Sequence, residues 1–197
     1  KKRALKLLEE VQIRDPQSRL QAYPHQLSGG MRQRVAIAIA LIGDPDIIIA
    51  DEPTSALDVT VQRRVLEILR NVCQQRNAAV VLITHDLGVV AQTCDRVVVL
   101  YGGIVAEEAD VFDLFDHPRH PYTRALLDTL PRRGQKGALR PIPGQAEPVI
   151  GEARSCPFVN RCASATAVCR EELPQPTQVM ASRVRCFNPL VEIGDAR

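Results

Sequence analysis

The chain has no apolar run long enough to cross a membrane: its longest, such as Ala78 to Thr84, fall far short of the roughly 20 residues a spanning helix needs. It has no broad excess of one charge either, since a net charge of +2 at pH 7 gives no basic field for nucleic acid. No heptad array is present that would build a coiled coil. The start lacks the apolar core of a secretion signal, because Lys1-Lys2-Arg3 runs into Ala4, Leu7, Leu8 and Val11 at amphipathic-helix spacing. The expectation is therefore a soluble, cytoplasmic protein. Two further absences matter. There is no Cys-x2-Cys knuckle of the usual structural zinc site, and no Gly-x-x-x-x-Gly-Lys-Ser/Thr loop to cradle phosphates.

What is present is uneven along the 197 residues, a length that holds one ordinary domain and a smaller one. Four prolines fall in the first 117 residues and ten in the last 80, which places a change of architecture near His117. Of six cysteines, Cys73 and Cys94 stand alone, as buried free thiols by default, while four crowd into the last quarter.

The chemistry concentrates between Ile47 and Asp58. Ile47-Ile48-Ile49-Ala50 reads as a strand buried on both faces, and Asp51 and Glu52 follow where it ends. Ligands of open α/β sheets bind at the carboxyl ends of parallel strands, so this pair suits a metal-bound nucleotide: Asp51 for Mg²⁺, Glu52 to orient an attacking water. Taken alone, the pair is equally an acidic strand-to-loop corner. Upstream, Ser28 suits a helix N-cap, followed by Val35, Ala38, Ile39 and Ile42 at helical spacing. Gly29 and Gly30 leave the backbone bare for a ligand at the positive end of that helix, although an ordinary capped helix reads the same way. Asp58 suits the cap of the next helix, whose apolar stripe is Val61, Val65, Ile68, Leu69 and Val72. Residues 78–84 read as a second buried strand that delivers His85 to the same sheet edge, where a histidine can sense a phosphate. Asp86 suits the cap of a helix over 87–93, and 96–106 reads as a hairpin turned at Gly102-Gly103.

The order of these pieces resembles the C-terminal half of an ABC-type ATPase domain. Leu27-Ser28-Gly29-Gly30-Met31-Arg32-Gln33-Arg34 is similar to the signature loop, Asp51 and Glu52 to Walker B and the catalytic glutamate, Ser55 to Asp58 to the D-loop, and His85 to the switch histidine. The resemblance implies an α/β fold over residues 1–109, with ATP and Mg²⁺ as cofactors. It assigns Glu52 and His85 to catalysis and Asp51 to Mg²⁺. It also assigns Ser28, Gly29, Gly30, Gln33 and Asp58 to nucleotide contact, the signature residues acting in trans on a partner domain. Without the phosphate loop, the chain alone is expected not to hydrolyse ATP.

Past residue 109, Asp110 to Phe115 reads as a short capped helix, and Pro121 suits the first turn of another carrying Leu126, Leu127 and Leu130. His120-Pro121-Tyr122, with Tyr23-Pro24-His25-Gln26 before the signature, resembles the ATP-binding subunits of dipeptide and oligopeptide importers; relatives that carry nickel and other small cargo are alternatives. The resemblance implies a second ATPase domain, identical or paralogous, a membrane permease, an extracytoplasmic substrate-binding protein, no nucleic acid, and a peripheral place on the cytoplasmic face of the inner membrane. Residues 110–150 are expected to form a helical segment and a Pro- and Gly-rich linker, and residues 151–197 a cysteine-rich extension. Cys156-x5-Cys162-x6-Cys169-x16-Cys186 reads as metal ligation in a cytoplasmic chain, with a [4Fe–4S] cluster ahead of zinc. Two rivals stand beside the importer: an ABC-type ATPase without transport, and a non-catalytic metal-sensing fragment.

Overall fold

The computed structural model describes residues 1–130 and 141–191. These fall into two compact units, Lys1–Thr93 and Cys94–Arg197. The linker expected over 130–150 lies partly outside the described residues.

The first unit runs α1 (Lys2–Glu10), α2 (Pro16–Arg19), a 3₁₀ turn (Pro24–Gln26), α3 (Gly29–Leu41), β1 (Ile47–Asp51), α4 (Val59–Gln75), β2 (Ala79–Ile83) and α5 (Leu87–Thr93). Its core gathers one apolar face from each long helix: Leu7 and Leu8 of α1 with Val11 just past its end, Ile37, Ala38 and Leu41 of α3, and Val65, Ile68, Leu69 and Val72 of α4, with Ile48 of β1 packed among them. Burial on this scale, at roughly 25 cal/mol per Å² of apolar surface, is what holds the helices to the sheet. β1 and β2 are parallel neighbours with Ile47 opposite Ala79 and Asp51 opposite Ile83.

Two expectations fail here. The strands are not buried on both faces: Ile47 and Ile49 are 61% and 69% exposed, because among the described residues the sheet has two strands and the helical layer covers the Ile48 side. On α3 the expected stripe holds only in part: Ala38 is buried with Ile37 and Leu41 and Val35 packs against the core, while Ile39, and Ile42 just past the helix end, point outward. This helix carries apolar side chains nearly all round, so spacing alone does not choose its inner face.

The second unit opens with the expected hairpin, β3 (Arg96–Tyr101) and β4 (Ile104–Asp110), turned by Gly102 and Gly103 at φ 57° and 78°. Both turn residues need the left-handed region that glycine enters without a steric cost. Next come α6 (Val111–Asp116), capped by Asp110, and α7 (Pro121–Asp128), whose Leu127 is buried while Leu126 and Leu130 are half-buried. A 3₁₀ turn (Val159–Arg161) and α8 (Val168–Glu171) precede β5 (Thr177–Val179) and β6 (Ser182–Val184). β6 pairs antiparallel with β4, so the late hairpin extends the early one into a four-stranded sheet, β3-β4-β6-β5. That pairing of residues 70 or more positions apart leaves no local pattern in the sequence.

Candidate functional site

The parallel pairing of β1 and β2 sets the site. Because Asp51 lies opposite Ile83, both strands end at the same level, and the Glu52 amide continues the ladder by donating to the Ile83 carbonyl at 2.9 Å. Glu52 then turns out of the strand at φ 46°, a conformation that costs a non-glycine residue energy and that the surrounding ladder holds in place. The Ser55 hydroxyl donates to the Glu52 carbonyl at 3.2 Å, and Pro53 and Thr54 are buried beneath the turn.

That turn brings the Glu52 carboxyl to His85. Oε1 of Glu52 and Nδ1 of His85 are 2.7 Å apart, with the histidine side chain 81% exposed and the glutamate 39%. The hydrogen bond to Glu52, then the glutamate's charge, raises the His85 pKa above its ordinary value. His85 is itself positioned by a local turn: Thr84 Oγ1 accepts from the Asp86 amide, and Asp86 caps α5 through the amides of Gly88 and Val89. Gln62 of α4 donates to the other Asp86 oxygen at 3.2 Å, which links that helix to the histidine turn. Asp51 stands exposed at the strand end beside them. The structure thus gathers Asp51, Glu52 and His85 at one sheet edge, with Glu52 and His85 within hydrogen-bond distance of each other.

The serine-glycine stretch is elsewhere in the same unit. Ser28 caps α3 by accepting from the Met31 amide at 3.3 Å and is exposed; Gly29 is half-buried, Gly30 is buried, and Gln33 lies half-buried in the following turn. Asp58 caps α4 through the amides of Thr60 and Val61, at 3.1 and 3.0 Å. The expectation that both glycines lie bare for a ligand needs correction: a Cβ at Gly30 would sit 2.5 Å from Val61 Cγ1, so this position faces α4.

In the second unit, Cys156, Cys162, Cys169 and Cys186 line one cavity of about 10 Å³, together with His120 and Asn188, and none is in a disulfide. Burial raises the thiol pKa of Cys156, Cys162 and Cys186, the last to about 11. Among the described residues no set of three or more His, Cys, Asp or Glu side chains stands as a metal site. The four cysteines expected as ligands thus share one cavity, without being arranged there as a metal site. His120 is buried, with its pKa lowered to about 4 by burial, and its Nδ1 accepts from the Tyr122 amide at 3.0 Å, so it caps α7 as a neutral ring.

Sequence reasoning missed Glu107. This fully buried carboxyl accepts from the amides of Arg119 and His120 at 2.7 and 2.9 Å and anchors the turn into α7. No local sequence pattern marks it, because its partners are the amides of a turn twelve and thirteen residues on.

Comparison with known proteins adds to this geometry. Residues 1–55 match the family model described as ABC transporter, and residues 106–169 the one described as Oligopeptide/dipeptide transporter, C-terminal region. The chain is 49% identical over 183 residues to the probable peptide ABC transporter ATP-binding protein y4tR of Sinorhizobium fredii, covering 90% of this chain and 53% of that protein. It is 49% identical over 178 residues to the dipeptide transport ATP-binding protein DppD of Bacillus subtilis, covering 90% and 53%. The Escherichia coli protein of the same name is 46% identical over 196 residues, covering 98% and 60%. The chain thus spans between 53% and 60% of the length of these relatives.

Proposed function

Since this chain belongs to the ATP-binding proteins of ABC transporters, in the branch of dipeptide and oligopeptide systems, we propose that the whole protein hydrolyses ATP to drive peptide uptake across the cytoplasmic membrane. The observation that carries this reading is the 2.7 Å pair between Glu52 and His85 at the level where β1 and β2 both end. Mg²⁺ would neutralise phosphate charge, and Asp51 is the residue to hold it. Glu52 takes the proton of the attacking water, and His85 holds the glutamate oxygen in place. Ser28, Gly29 and Gln33 serve a partner domain's nucleotide from the capped start of α3, Gly30 sets the backbone of that loop against α4, and Asp58 lies at that same junction.

The partners in this proposal are a second ATPase domain, a membrane permease and, through it, an extracytoplasmic substrate-binding protein. The protein lies on the cytoplasmic face of the inner membrane; no helix among the described residues is long and apolar enough to cross it. The three-part division at 109 and 150 belongs to the proposal as well. So does thiolate ligation of a [4Fe–4S] cluster, with zinc as alternative, supported by four unpaired thiols on one cavity. Visible absorption that bleaches on reduction supports the cluster, and colourless protein with stoichiometric zinc overturns it.

The match of residues 106–169 to the oligopeptide/dipeptide region favours peptide cargo over nickel and over ATPases without transport. The test is reconstitution of the whole protein with its permease and binding protein in vesicles. ATP-dependent accumulation of a labelled dipeptide or oligopeptide is expected; ATP-dependent accumulation of nickel alone, or ATPase activity indifferent to the permease, contradicts the peptide reading.

A further inference from the structure

The two glycines ahead of α3 do not face the same surroundings. An ideal Cβ at Gly29 would lie 3.2 Å from Leu57 Cδ2, the end of a long and yielding side chain. At Gly30 it would lie 2.5 Å from Val61 Cγ1. Valine yields poorly. A β-branched side chain in a helix keeps essentially one χ1 rotamer, and Val61 is additionally held by its own amide, which donates to Asp58 Oδ1 at 3.0 Å, and by its packing against the core. Its methyl group therefore occupies the space that any side chain at position 30 would need. Gly30 is buried accordingly.

We propose that Val61 is a positioning residue for the Ser28–Gly30 loop: its Cγ1 seats against the bare Cα of Gly30, so that the start of α3 and the Leu57–Val61 segment move as one piece. The requirement for glycine at position 30 then comes from α4 within the same chain, and Val61 acts through the loop without touching nucleotide. This rests on the functional reading above, in which both segments face a partner domain.

The test is a cycle of Gly30→Ala, Val61→Ala and the double substitution in the whole protein, read by melting temperature and by kcat at saturating ATP. Helix propensity alone would favour alanine at position 30. We expect the opposite sign: Gly30→Ala lowers the melting temperature and reduces kcat by about tenfold or more, and adding Val61→Ala restores kcat to within about threefold of the Val61→Ala protein. Should Gly30→Ala fail to fold, folding of the double variant is itself the rescue. A double variant no better than Gly30→Ala overturns the proposal, as does recovery of melting temperature without kcat, since glycine would then be needed by the ligand. So does a Gly30→Ala melting temperature at or above that of the parent. A parent protein without any ATPase activity would overturn the functional reading instead, and the melting arm alone would still decide whether Val61 excludes a side chain at position 30.

Discussion

Glu52 and His85 show how little separates a structural pair from a working one. The histidine is exposed, so the pair gains little stability from its charge; in the proposed mechanism it fixes where the glutamate oxygen sits. The raised His85 pKa means that the protonated ring is the one favoured by Glu52. The small stabilisation it brings is full below the ordinary histidine pKa and is lost as pH rises through the raised one. An NMR titration should place the His85 midpoint above 6.5 and move it back toward 6.5 in Glu52→Gln; an identical midpoint in both proteins would separate the two side chains in solution. His120 behaves in the opposite sense. Its folded pKa of about 4 lies below the ordinary 6.5, so the unfolded chain binds the extra proton between those values and stability falls as pH falls through that window. Urea unfolding of the second unit should lose about 2 kcal/mol between pH 7 and pH 5, and His120→Gln should flatten that slope.

Among the elements, the caps were legible and the faces less so. Ser28, Asp58, Asp86 and Asp110 each accept backbone amides at a helix start, as short polar side chains before an apolar stripe suggest. Their hydrogen bonds are local, so a few residues of sequence contain all the information. The inner face of α3 and the open face of β1 depend on what packs against them, and no window of sequence carries that. The same holds for β6, which completes the second sheet across a long separation, and for Glu107, whose partners are the amides of a turn twelve and thirteen residues on. Glu107→Ala would leave two buried amides without an acceptor and should cost about 2 to 5 kcal/mol of stability. A loss under about 1 kcal/mol in chemical denaturation would mean that water replaces the carboxyl.

For the molecule as a whole, the chemistry was more readable than the architecture. Strand ends at a shared level follow from parallel pairing, so reading Asp51, Glu52 and His85 at the ends of two apolar runs sufficed to place them at one edge. The cysteines illustrate the limit: all four line one cavity, as their clustering suggested, but how their side chains are arranged within it depends on packing that spacing does not carry. The proposed ATP-driven peptide uptake rests on one chemical event, proton abstraction by Glu52. The most direct test is Glu52→Gln in the whole protein, with ATP binding and ATP turnover measured side by side. Binding should persist while turnover falls by about a hundredfold or more; hydrolysis at the parent rate would remove Glu52 from the chemistry and the account with it.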